Sequence, residues 1–102
     1  VTVQPPHNAF GVGGAFSIKL TFNEDVTAGS GSIVLRASGE TDRSIAASAA
    51  SYLNTDVVIQ VGSATPLAIG KTWRVELPEG VILDSAGNPF GGIQDGSYNL
   101  QT

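Results

Sequence analysis

The chain has 102 residues and a mass of 10.4 kDa, the length of one domain and enough to bury roughly two-thirds of the surface that the unfolded chain exposes. Charged residues make up 14% against about 25% in an average soluble domain, while apolar residues make up 41%, so the polar surface comes mainly from Ser, Thr, Asn, Gln and Gly. Five Lys and Arg against nine Asp and Glu give a net charge of −4, which argues against binding nucleic acid or inserting into an anionic membrane; with no Cys and one His, thiol chemistry and Cys- or His-rich metal centres are excluded.

Val1 to Gln4 reads as a terminal strand, stopped by Pro5-Pro6. That pair fits a strand that breaks from one sheet to cross to another, and equally a turn before the loop Gly11-Val12-Gly13-Gly14. From Ala15 to Phe22 the alternation of Phe16, Ile18, Leu20 and Phe22 with Ser17, Lys19 and Thr21 predicts a half-buried strand. Ser32 to Ala37 and Asp56 to Val61 are short β-branched runs bounded by Gly-containing turns and predict two more.

Residues 44–53 are ambiguous. The Ala-rich run places Ile45, Ala49, Tyr52 and Leu53 at helical spacing, but a helix this short is marginal without packing. The preceding turn, Glu40-Thr41-Asp42, favours a strand over Arg43 to Ala47 and then an irregular connection to Asp56. Thr72 to Leu77 alternates Trp73, Val75 and Leu77 with Arg74 and Glu76, and Pro78 stops it. Val81 to Leu83 suggests a short strand, and Ser97 to Gln101 the last one.

About seven short strands separated by Gly, Pro and Asn turns predict an all-β fold. The expected form is an antiparallel sandwich of immunoglobulin size with Greek-key connections, and a small barrel is the alternative. Residues 1–102 are expected to form this single domain, excised from a longer protein, since the chain starts at Val1 and contains no Met. The expected core is Phe16, Ile18, Leu20, Phe22, Ile33, Leu35, Val57, Ile59, Trp73, Val75 and Leu77.

Several motifs then resemble a known family. Phe22-Asn23-Glu24-Asp25-Val26 closes the first long strand, Gly31-Ser32-Ile33 opens the next, and Leu67, Gly70 and Trp73 lead into a third. Asp84-Ser85-Ala86-Gly87-Asn88 follows at the right distance, ahead of Phe90-Gly91-Gly92. This order is similar to that of bacterial Ig-like domains of the type found in S-layer proteins and large surface adhesins. Trp73 stands where that family usually has Tyr, which changes the polar atom that needs a partner. The resemblance implies a non-catalytic structural or adhesive module, a spacer or stalk unit of an extracellular or cell-surface protein. Its partners would be neighbouring domains of the same polypeptide, with another surface protein or a glycan as further candidates, and in isolation it would be monomeric. Low charge with ten Ser and eight Thr agrees with a location outside the cell.

The candidate chemistry is limited. In an Ig-like sandwich the strands Phe16 to Phe22 and Thr72 to Leu77 run in the same sense in opposing sheets, so the loops beyond them share one end. This would bring Asn23, Glu24 and Asp25 near Asp84 and Asn88, an oxygen-rich set that calcium could use, so the alternative function is a calcium- or carbohydrate-binding module built on this loop end. Without a ligand the same residues explain a turn: Asp84 accepting N–H groups two residues on, Gly87 at positive φ, Asn88 tolerating a left-handed backbone before Pro89. Glu76 with Glu79 and Glu40 with Asp42 are the acid–base pairs on offer, all on wet faces or in turns. His7 has no Ser, Asp or Cys partner pattern and reads as an exposed loop residue. The glycine-rich loops 11–14 and 91–96 fit no phosphate-binding fingerprint. Trp73, Tyr52 and Tyr98 would stack against a sugar only if exposed, and Trp73 alternates in phase with core positions. No catalytic residues and no cofactor other than calcium are expected.

Overall fold

The computed structural model describes residues 2–102; Val1, expected in the first strand, lies outside them. The described strands are β1 (Thr2–Gln4), β2 (Ala9–Phe10), β3 (Phe16–Thr21), β4 (Val26–Ala28), β5 (Ser32–Arg36), β6 (Arg43–Ala46), β7 (Ser51–Leu53), β8 (Asp56–Val61), β9 (Thr72–Glu76), β10 (Ile82–Asp84) and β11 (Asn99–Gln101). One sheet has the order β1-β3-β8-β7 and is antiparallel throughout. The facing sheet has the order β2-β11-β9-β5-β6, antiparallel except where β2 runs parallel to β11. A two-stranded ribbon, β10-β4, completes the structure. Partners such as β3 with β8 and β5 with β9 are distant in sequence, the pattern of a Greek-key sandwich.

Period-2 alternation places the core between the sheets. Ile18, Leu20, Val57 and Ile59 point inward from one sheet, and Ile33, Leu35, Trp73, Val75 and Leu100 from the other, each at most 1% exposed. Two expected core residues differ: Phe16 and Phe22, at the ends of the alternating run, are only half-buried. Tyr98, Leu67, Val81 and Ile82 are buried core residues that the alternating runs did not supply. Trp73 does find a partner for its polar atom, donating Nε1–H to the Ala68 carbonyl at 3.3 Å.

Pro5-Pro6 marks a change of sheet, since β1 pairs with β3 while β2 pairs with β11 in the other layer. A proline at this point has no N–H to lose from either ladder.

The segment 44–53 requires a correction. Strand β6 ends at Ala46, one 3-10 turn spans Ala47–Ala49, and the expected irregular connection instead contains β7, which forms a hairpin with β8. The Ala-rich helix propensity is realised for a single turn because the chain must cross between sheets here. Ala47 fixes the crossing: it is buried, donates N–H to the Gly31 carbonyl at 3.0 Å, and accepts the Tyr52 hydroxyl at 2.8 Å.

Among the described residues, no helix is long and apolar enough to cross a membrane. The strand registers also set the poles of the molecule. Thr2 lies opposite Thr21 at the end of β3, whereas Thr102 donates its N–H to the Lys71 carbonyl just ahead of β9. Strands β3 and β9 run in the same sense, as expected, so the two chain ends lie at opposite poles of a body measuring 40 × 24 × 21 Å.

Candidate functional site

The pole at which the chain starts is built from three connections, β3 to β5, β7 to β8 and β9 to β11. The ribbon β4-β10 ties the first to the third, with Val26 opposite Asp84 and Ala28 opposite Ile82. Gly29 permits the ribbon to close, because a Cβ there would collide with the Gly80 carbonyl oxygen. The second connection joins in through Phe22 N–H to the Thr55 carbonyl at 2.9 Å and Val26 N–H to the Asn54 carbonyl at 3.0 Å.

At the tip of the ribbon the chain reverses through Asp84-Ser85-Ala86-Gly87-Asn88. The Oδ1 of Asp84 accepts the N–H of Ala86 at 3.0 Å and of Asn88 at 2.7 Å, and Asn88 Nδ2 donates to Asp84 Oδ2 at 3.2 Å. Gly87 takes φ = +85°, as the turn requires. Asn88 differs from the expectation and does not adopt a left-handed backbone; one glycine suffices for the reversal.

Beneath this turn lies a cavity of about 160 Å³ lined by Phe22, Asn23, Glu24, Val26, Asp84, Asn88, Pro89 and Phe90. Phe22 meets Phe90 edge to face, with ring centres 5.1 Å apart and planes at 86°. Four of the five residues singled out as oxygen donors, Asn23, Glu24, Asp84 and Asn88, therefore share one cavity, and Asp25 does not line it. Among the described residues no group of three or more His, Cys, Asp or Glu gathers as for a metal ion. The aromatic lining was missed because Phe22 read as core and Phe90 lies in no periodic run.

Two carboxyl groups face one another at the cavity mouth. The hydrogen bond with Asp84, reinforced by its like charge, raises the Glu24 carboxyl above its ordinary value. Asp84 is held below its ordinary value, chiefly by the Asn88 backbone N–H, with further help from the Asn88 side chain, Glu24 and the Ala86 N–H. A proton taken up by the pair thus resides on Glu24, while Asp84 stays ionised and keeps the turn.

The remaining candidates are placed apart. Glu76 pairs with Arg36, which also meets Asp42 at 3.2 Å, and Glu40 lies 3.8 Å from Lys71. Glu79 is exposed. His7 is exposed and accepts the Asn99 N–H on Nδ1 at 3.0 Å, a structural bond to β11. The glycine-rich stretches 11–14 and 91–96 are loops. Trp73 and Tyr98 are 1% and 2% exposed, and Tyr52 is half-buried, so the three rings form no surface for stacking a sugar.

Comparison with curated proteins and with solved structures gives no match. The family model described as bacterial Ig-like domain matches residues 1–102. With its two-sheet sandwich and its Asp84 to Asn88 turn, the chain belongs to the bacterial Ig-like domain family.

Proposed function

We propose that this module is a non-catalytic spacer or stalk unit of a larger extracellular or cell-surface protein, in contact with neighbouring domains of the same polypeptide. The observation that carries this reading is the placement of the chain ends at opposite poles of a 40 Å body. A module joined at opposite poles adds length and transmits tension along its axis.

The ends are also cross-braced. The segment following β1 is held to the last strand by Asn8 N–H to the Asn99 carbonyl at 2.8 Å, the Tyr98 hydroxyl to the Pro5 carbonyl at 2.5 Å, and the parallel β2–β11 pair. Tension applied at the two ends loads these bonds in shear, together with the β1–β3 ladder, so several must yield at once. Pulling single molecules by their ends tests the reading: one cooperative unfolding peak is expected, with a lower peak force for Tyr98→Phe. Gradual extension without a peak would sink it.

Calcium at the Asn23, Glu24, Asp84 and Asn88 cavity is a second reading, supported by the convergence of these four oxygen-bearing side chains. Asp84 already spends Oδ1 on two backbone N–H groups, so the turn accounts for it without an ion. Titration calorimetry separates the two. Heat and a raised melting temperature at millimolar Ca²⁺ support the ion, and their absence leaves the turn alone.

A further inference from the structure

The chain leaves its first sheet through a short corner, and one ionisable side chain helps to hold that corner. From Thr2 to Ile18 there is no Lys, Arg, Asp or Glu, and His7 is the single His of the chain. The corner closes through Ala9 N–H to the Pro6 carbonyl at 3.0 Å, with Asn8 at φ = +66°, a left-handed backbone that Asn adopts more readily than most residues. Its two central residues clasp the backbone of Asn99. Asn8 donates its N–H to the Asn99 carbonyl at 2.8 Å, and His7 Nδ1 accepts the Asn99 N–H at 3.0 Å. The β2–β11 pair starts only at Ala9 and Leu100, so at Asn99 a side chain supplies the acceptor that the ladder does not. His7 is exposed, and solvent protons reach it.

We propose that His7 is a proton-sensitive latch, which fastens the corner between β1 and β2 to the last strand at neutral pH and releases it on acidification. Histidine is the side chain that changes charge between pH 5 and 8, and its two states differ in what Nδ1 can do. In the neutral ring with its proton on Nε2, Nδ1 accepts the Asn99 N–H. In the imidazolium both nitrogens carry protons, so two N–H donors face one another and the bond is lost. The latch is closed at the upper end of this range and open at the lower end. The surroundings leave that sign unopposed. Among the described residues no carboxylate lies within ion-pair distance of His7 to hold the imidazolium in place. Beside β11 the Tyr98 phenol donates to the Pro5 carbonyl and, pushed up to about 12, stays neutral across the range. On β9, Arg74 lies opposite Asn99 and is occupied by Asp95 at 2.8 Å. Under the spacer reading this corner is among the contacts that tension loads, so acidification lowers the force that the module withstands; the latch itself does not depend on that reading.

Amide hydrogen exchange of the 102-residue protein at about pH 7.5 and about pH 5.5, corrected for the intrinsic pH dependence of exchange, tests the latch without force. The opening constant of the Asn99 amide should rise about fivefold on acidification, the weight of one hydrogen bond. Amides of β3 and β8 should stay unchanged, and they report in the same spectra that each variant is folded. His7→Asn keeps an acceptor that does not titrate, whereas His7→Phe keeps a ring without an acceptor. The first should hold the Asn99 amide protected at both pH values, and the second should leave it open at both. Imidazole nitrogen shifts should place the proton of the neutral ring on Nε2. A wild-type opening constant that does not change with pH overturns the proposal. So does a pH dependence that survives in either variant, which would assign it to another group such as Glu24, or a neutral ring protonated on Nδ1. The spacer reading fails separately, through the pulling experiment at neutral pH, where the latch is closed.

Discussion

Between the facing sheets, the inward side chains of β3, β8, β5 and β9 are aliphatic or aromatic and almost fully withdrawn from water. At the starting pole, four of the eight residues around the cavity are Asn, Asp or Glu, and turn hydrogen bonds at the tip supplement the inward side chains of Val26, Val81 and Ile82. The first region draws its stability from apolar area and ladder bonds, which makes it tolerant of surface change and intolerant of lost volume. The second adds to its ladder and buried residues one glycine contact, one carboxylate and two phenyl rings, which shape the cavity. Chemistry is therefore free to vary at the pole while the middle stays the same.

The largest expected effect lies in the middle. Trp73→Ala removes the largest fully buried side chain and should cost about 3–5 kcal/mol by chemical denaturation. A loss below about 1 kcal/mol would erase the contrast between a dense middle and an adaptable pole. Next comes the hinge between the two regions. Gly29→Ala drives a methyl into the Gly80 carbonyl, and overpacking of this kind costs about 1–3 kcal/mol. Hydrogen exchange should show faster opening of the Val26–Ala28 and Ile82–Asp84 amides, with those of β3 and β8 unchanged.

Tyr98 joins the core to the chain-crossing segment through its hydroxyl. Tyr98→Phe should cost about 1 kcal/mol, the usual net worth of one hydrogen bond. Burial pushes the Tyr98 phenol up to about 12. Its folded value lies above the ordinary value of about 10, so the neutral phenol contributes stability that is complete below about pH 10 and is lost as pH rises through about 12. Burial raises the Tyr52 phenol as well, so phenolate absorbance should show both tyrosines ionising above the ordinary value, Tyr98 at the pH where the fold weakens.

The middle was legible in the sequence because its signal is periodic. Each of Ile18, Leu20, Trp73 and Val75 occupies an alternate position, and the pleat dictates which face it serves. The alternation overreached at its ends: Phe16 and Phe22 continue the pattern and pack against the core, but are only partly buried. Strands β2, β4 and β7 were not read, since each is two or three residues without the apolar run or terminal position that marked β1, β10 and β11, and their pairing is decided by partners far along the chain or by a neighbouring hairpin. At the pole, the Asp84 to Asn88 turn was readable from local chemistry, and the topology argument brought Glu24 to it. The aromatic wall was not readable, since the meeting of Phe22 with Phe90 depends on the β4–β10 ribbon, and the short strand read at Val81 to Leu83 did not name β4 as its partner.

The smallest effect is also the most discriminating for the pole. Glu24→Gln removes one of two facing carboxylates while leaving an amide able to donate to Asp84. At neutral pH the like-charge repulsion disappears, so stability should stay level or rise slightly. The sign then depends on pH. Because its folded value is raised, Glu24 is stabilising when protonated, and this contribution is lost as pH rises through that value. Any advantage of the glutamine should thus shrink on acidification. Asp84 behaves oppositely: its lowered value means that its contribution is present above the ordinary carboxylate range and disappears as pH falls through the folded value, taking the turn with it. Carboxyl chemical shifts followed over an acid titration should show Glu24 taking its proton first and Asp84 last. In Glu24→Gln, the Asp84 midpoint should stay low, because the Asn88 backbone N–H is its main cause. A midpoint returning to the ordinary carboxylate range would make the carboxyl pair, and not the turn, the organiser of this pole.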